Sequence, residues 1–153
     1  DMVLNYQKLK ENWDDEMASL NTYEELVIEV ADLVNICHSS KNKDGDDIIL
    51  KVIVESGLLT VNQTEETTNI CLDAEADFIK TSTGMVSVGA ELDKIQIMSE
   101  TINKNESDMK IKASGGVRTL NDIETYGKYV DRFGMGFGSV DALNGVDSDS
   151  VGY

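Results

Sequence analysis

The feature that most narrows the possible folds is an alternation of two hydrophobic periods along the chain. Short apolar, β-branched runs alternate with longer amphipathic stretches. IILKVIVE (Ile48–Glu55) is nearly continuous and β-branched, as expected of a strand buried on both faces. MVLN (Met2–Asn5), DFIKT (Asp77–Thr81), MKIKAS (Met109–Ser114) and DRFGMG (Asp131–Gly136) read as four more strands. Between them, Leu20, Val27, Val30, Ala31 and Val34 mark one helical stripe, and Leu92, Ile95, Met98 and Ile102 mark another. Thr119 followed by Asp122 is a variant of the capping box. It opens a further helix, with Leu120, Ile123 and Val130 on one side. Strands separated by helical patterns of about 10–15 residues indicate βα units, a parallel sheet and right-handed crossovers.

Length then limits the architecture. The chain has 153 residues, enough for one domain with a core. A complete (β/α)8 barrel takes about 250 residues. Five strands in 153 residues leave two arrangements, a doubly wound sheet or part of a barrel.

Charge and composition exclude several function classes. A formal net charge of -16 opposes nonspecific binding to nucleic acid or anionic lipid. Any phosphate ligand must therefore be met by a local positive site. No apolar run reaches about 18 residues, so no membrane span is predicted. The opening DMVLNY lacks the basic-then-apolar order of a signal peptide. Cys37 and Cys71 lack metal spacing, and a reducing, cytoplasmic setting is the expectation. The single histidine, His38, argues against a zinc site or a histidine-based triad and reads as a surface residue near a helix end. The first residue is Asp1 rather than Met, so the chain is expected to be processed or to belong to something longer.

Two lysines stand out. Lys80 ends the DFIKT strand and is followed by Thr81, Ser82 and Thr83, which read as polar lining. An amine in an apolar site loses hydration of its charged form, so its pKa falls and it becomes a nucleophile toward carbonyls. Alone, a strand-end lysine is better read as snorkelling to solvent. Lys112, however, ends the next strand, 32 positions later, about one βα repeat. Adjacent parallel strands would bring the two amines together, and a second cation depresses the first one's pKa further. Lys110 shares a face with Lys112 by alternation, but the Gly115-Gly116 pair that follows favours Lys112.

Glycines there let backbone amides approach an anion at the start of the Thr119 helix. Arg118 adds charge or makes a surface pair. A second set, Gly134, Gly136 and Gly138, follows the last strand, where barrels commonly bind phosphate. Glu55 would face the same end of the sheet as Lys80, pairing with a lysine, relaying a proton, or tying only Lys51 or a loop. The acidic residues Asp14, Asp15, Glu16 and Asp44 to Asp47 read as solvated surface.

The segments DMVLNYQKLK, LKVIVESGLLT, ADFIKTSTG, KASGGVRT and RFGMGFGS together resemble the deoxyribose-phosphate aldolases, a family of class I aldolases, in that family's order. The resemblance runs over essentially the whole chain and corresponds to roughly the C-terminal three-fifths of the family's protein. It implies a TIM-barrel (β/α)8 fold, here a partial barrel of about five βα units over residues 1–145, with 146–153 as a flexible tail. It implies reversible cleavage of 2-deoxyribose 5-phosphate to acetaldehyde and glyceraldehyde 3-phosphate, with no metal or organic cofactor. By the resemblance, Lys80 forms the Schiff base, Lys112 lowers its pKa and moves protons, and Asp1 completes the relay. Tyr153 matches a C-terminal tyrosine implicated in proton transfer. Thr81, Thr83, Gly115, Gly116, Gly134, Met135 and Gly136 contact substrate. Two departures stand out: Gly136 and Phe137 replace the usual pair of serines in the last phosphate loop, and the first three strands have no counterpart. The implied partners are a phosphorylated sugar and an aldehyde, with no nucleic acid or membrane. A homo-oligomer or a complementing N-terminal segment would close the barrel. The alternative is a truncated, non-catalytic homologue that binds sugar phosphates.

Overall fold

The computed structural model describes residues 1–143, with side chains as far as Val140. Five strands, β1 (Met2–Val3), β2 (Lys51–Ile53), β3 (Phe78–Lys80), β4 (Lys110–Ser114) and β5 (Arg132–Gly134), form one sheet. Every neighbouring pair is parallel, and the spatial order is the chain order, β1-β2-β3-β4-β5. A doubly wound sheet reverses its strand order at a switch point. This sheet never reverses, which resolves the two arrangements in favour of a partial barrel.

Among the described residues, five helices fill the connections, α1 (Tyr6–Glu11), α2 (Glu16–His38), α3 (Val61–Asp73), α4 (Leu92–Lys104) and α5 (Leu120–Tyr126), and α6 (Phe137–Leu143) follows β5. A short 3-10 turn, Ser56–Leu58, precedes α3. Side chains cap several of their starts. Asp15 accepts from the Ala18 amide at 2.9 Å and caps α2. Thr60 with Gln63 and Thr119 with Asp122 each form a reciprocal capping box at α3 and α5. Asp15 thus does more than solvate the surface.

Side-chain alternation divides the sheet into two unlike faces. Leu4, Val52, Val54, Ile79 and Ile111 join Leu26, Val30, Ile70, Met98 and Ile102 in the main core between sheet and helices. A smaller cluster of Ile95, Ala113 and Val117 lies beside it. The opposite face carries Lys51, Phe78, Lys80, Lys110, Lys112 and Arg132, and Lys80 and Lys112 on it border the site.

The five predicted strands all exist, each shorter than the apolar run that announced it. In β2 the ladder covers Lys51–Ile53, although burial extends through Leu50 and Val52 to Ser56. The helical stripes hold apart from their first residues: Val30 and Val34 on α2, and Ile95, Met98 and Ile102 on α4, are buried, with Val27 and Ala31 packed against the core. On α2 the buried row is Thr22, Leu26, Val30 and Val34, each four residues on. Leu20, about 160° from Thr22 around the helix, is 54% exposed and does not belong to it. Leu92 and Leu120 are likewise exposed at helix starts. Helix α1 was not foreseen; Asn5 caps it through the Lys8 amide at 3.2 Å. Gly138 lies within α6 rather than in a loop. The boundary at residue 145 and the tail 146–153 lie outside the described residues.

Candidate functional site

The inner face of the sheet assembles the cations by register alone. Lys80 pairs with Lys112 across β3 and β4, and Lys112 pairs with Arg132 across β4 and β5. Neighbouring strands lie about 4.8 Å apart, so side chains on one face at paired positions are immediate neighbours. Lys80 Nζ donates to Asp1 Oδ2 at 3.0 Å, and Lys51 Nζ lies 3.8 Å from Asp1 Oδ1. One carboxylate therefore sits between two ammonium groups. The Lys80 side chain is only 13% exposed.

The crowding shows in Lys112. Burial, and then the charges of Lys80, Lys51 and Arg132, hold its ammonium below the ordinary lysine value. Lys51 and Arg132 also lie over the Phe78 ring, 5.4 Å and 5.0 Å from its centroid. Neither Lys51 nor Arg132 stood out in the sequence as a site residue. Strand parity could have found both, because each is an even number of positions from an inward-facing neighbour.

Beyond the lysines opens a cleft of about 580 Å³, lined by Lys80, Lys112, Thr83, Arg118 and the two glycine loops. Gly115 and Gly116 have φ of +80° and +76°, a conformation that disfavours any side chain. Gly134 admits no side chain for another reason: a Cβ there would sit 2.8 Å from Ser114 Cβ and 3.2 Å from Lys112 Cε. Met135 and Gly136 complete that wall, and Phe137 borders it with 75% of its surface exposed. Backbone amides and Arg118 give the cleft the means to meet an anion locally. Among the described residues, no group of histidine, cysteine, aspartate and glutamate side chains converges to hold a metal ion.

Not every expected lining residue reaches the cleft. Thr81 is fully buried; its hydroxyl donates to the Ser114 carbonyl at 2.8 Å and accepts from the Ser114 amide at 2.9 Å. It ties β3 to β4 instead of facing substrate. Ser82 is also buried, and its hydroxyl has no partner among the described residues. Glu55 neither pairs with a lysine nor lines the cleft; its carboxylate accepts from Thr83. Lys110 is exposed near the opposite end of β4. His38 ends α2 and lies 3.0 Å from Asp77, before the start of β3 and away from the lysines. Tyr153 lies outside the described residues.

Comparison with known proteins finds relatives of the whole fold. A family model described as DeoC/LacD family aldolase matches residues 24–137. The deoxyribose-phosphate aldolase of Mycoplasmoides pirum is 44% identical over 124 residues, covering 81% of this chain and 48% of the relative. That of Treponema denticola is 37% identical over 146 residues, covering 95% and 56%. Among solved structures, the aldolase QR15 matches with a TM-score of 0.69 and 27% identity over 93% of this chain and 57% of its own. A tetrameric deoxyribose phosphate aldolase from Aeropyrum pernix matches at 0.64 and 26%, covering 80% and 49%. The chain spans about half the length of the curated relatives it matches. Among the described residues, no helix is long and apolar enough to cross a membrane.

Proposed function

The chain belongs to the DeoC/LacD aldolase family, and from that premise we propose that it carries the Schiff-base chemistry of a deoxyribose-phosphate aldolase. The observation that carries the reading is the meeting of Lys80, Lys112 and Asp1 beside a glycine-lined cleft. Phosphate capture alone has no need of a carboxylate on a second amine, so a purely binding role is not favoured.

In the cleavage direction, Lys80 Nζ adds to the C1 aldehyde of open-chain 2-deoxyribose 5-phosphate. Loss of water leaves a protonated imine. The proton of the C3 hydroxyl passes to Asp1, through a water where the reach requires one. The C2–C3 bond breaks, its electron pair enters the imine, and glyceraldehyde 3-phosphate departs. The remaining enamine takes a proton at C2, and water hydrolyses the imine to acetaldehyde and free Lys80. Lys112, held below its ordinary basicity, exchanges protons with the same water. Tyr153 is assigned a part in protonating the enamine by resemblance alone.

The phosphate is placed at Gly115, Gly116, Gly134, Met135 and Gly136, with Arg118 at the edge. Thr83 contributes from the third side. No organic cofactor enters this scheme. We place residues 1–145 in the catalytic domain and the protein in the cytoplasm. A homo-oligomer or a complementing N-terminal segment is proposed to pair with the edge strands and close the barrel.

The test is reductive trapping. Acetaldehyde with borohydride is expected to add the mass of one ethyl group at Lys80, located by peptide mapping, and Lys80→Ala is expected to abolish it. Folded protein with no adduct at Lys80 would sink the reading.

A further inference from the structure

We propose that Glu55 is a positioning residue: through the loop joining β3 to α4, it sets the Gly115-Gly116 turn against Lys80. The proposal rests on the aldolase reading for its consequence, though not for its geometry.

The loop is fastened at three points. At its start, both Glu55 oxygens are engaged by Thr83. The Thr83 amide lies 3.2 Å and 3.3 Å from them, and the Thr83 hydroxyl donates to Oε2 at 2.5 Å. That hydroxyl in turn accepts from the Met85 amide at 3.0 Å. In its middle, the loop lies against Gly57, where a Cβ would meet the Val88 carbonyl oxygen at 2.6 Å. At its far end, the Ala90 amide donates to the Gly115 carbonyl at 2.9 Å. Gly89 packs there so closely that a Cβ would sit 2.2 Å from the Gly115 oxygen. Gly115 is the first residue of the left-handed turn that borders the cleft.

Between these points the loop has little else to define it. Met85 is 89% exposed, and Gly84 and Ser87 are exposed as well. A segment held by so few contacts opens easily unless each one is strong. Glu55 supplies the strong one, since a carboxylate accepting from an amide and a hydroxyl makes charge-assisted bonds. Glu55 is itself 2% exposed and has a φ of 52°, in the left-handed region that a side chain disfavours. Strain of that kind persists where surrounding structure over-determines it. The loop thus straps the tops of β2, β3 and β4 together, with Lys80 below its start and the anion turn under its end. Being buried and occupied by Thr83, the carboxylate has no free path to a reacting proton, which separates this role from a relay.

Glu55→Gln keeps the size of the side chain and removes the charge. Amide hydrogen exchange in the whole chain is expected to speed at least about tenfold at Thr83, Met85 and Ala90, with Ile79 and Ile111 unchanged. The Kd for inorganic phosphate is expected to rise about tenfold, while acetaldehyde trapping at Lys80 stays within about twofold. Thr83→Ser, which keeps both donors, is expected to preserve the exchange pattern. Thr83→Val, which loses only the hydroxyl, is expected to reproduce the loop effect should Glu55→Gln not fold. Exchange that is unchanged, or that speeds uniformly through the chain, overturns the proposal. Wild-type protein that neither binds phosphate nor traps acetaldehyde overturns the aldolase reading instead, and the loop exchange still decides the role of Glu55.

Discussion

At the scale of single residues, the site is an argument about how charges share space. Asp1 lies between Lys80 and Lys51, and the charges of Lys80, Lys51 and Arg132 bear on Lys112. Asp1→Asn keeps the shape but removes the proton acceptor. It is expected to slow exchange of the acetaldehyde methyl protons with deuterium by about 10²–10⁴-fold, followed by NMR, while borohydride still traps Lys80. An unchanged exchange rate would remove Asp1 from the relay. Lys112 makes a prediction of its own. Because its folded-state basicity is lowered, the unfolded chain binds more protons between that lowered value and about 10.4. The stability contributed by this position therefore rises with pH across that window. Lys112→Met is expected to stabilise the fold near neutral pH by less than about 1 kcal/mol, with the gain shrinking toward pH 10. Urea denaturation at both pH values decides it, and a gain that grows with pH contradicts the assignment.

At the scale of elements, helix starts and strand ends divide the labour. Asp122 accepts from the Arg118 and Thr119 amides at 3.0 Å and 2.9 Å, bonds that hold its carboxyl below the usual range. A depressed carboxylate contributes stability above its unfolded value of about 3.9 and loses it as pH falls through the folded value. Asp122→Ala is expected to cost about 1 kcal/mol at pH 7, with the difference from wild type vanishing in acid. A cost that persists at low pH would place the effect elsewhere. At the end of β5, Gly134→Ala would drive a methyl group into Ser114 and the Lys112 stem. It is expected to weaken phosphate binding at least about tenfold, measured by calorimetry, because β4 and β5 cannot separate without moving the cleft. The Thr119–Asp122 capping box was legible because it is a local pattern four residues long; the Thr60–Gln63 box is an equally local pattern that the sequence reading passed over. The α2 row was legible at Val30 and Val34 but not at its start: Leu20 looked like core by type, and only packing against α3 and the sheet shows that the buried row begins at Thr22.

At the scale of the whole molecule, helices among the described residues cover one face of the sheet only. Parallel sheets are normally covered on both, and edge strands left unpaired invite pairing. Here the uncovered face carries Lys51, Lys80, Lys110, Lys112 and Arg132, in a chain whose net charge is -16. Co-expression with the N-terminal half of the Mycoplasmoides pirum relative is expected to yield a one-to-one complex on size exclusion, with faster trapping at Lys80. Two proteins that elute apart, with unchanged trapping, would count against a complementing segment.

Taken by itself, the sequence determined the βα alternation, the parallel sheet, the cap of α5 and the pairing of Lys80 with Lys112. All of these follow from short-range pattern, and two motifs one repeat apart must land side by side on adjacent parallel strands. The contact between Asp1 and Lys80 came from family resemblance, since no local pattern links residues 79 positions apart. Only the tertiary structure decided what Glu55 and Thr81 do. Each had several chemically reasonable partners, and the choice depended on where the loops after β2, β3 and β4 cross. Glu55 met Thr83 rather than a lysine because the chain turns left-handed at that residue. Thr81 met Ser114 because strand register turned it away from the cleft. Side-chain identity set what each group could do, and loop geometry, the sum of many distant contacts, selected which of those things it does.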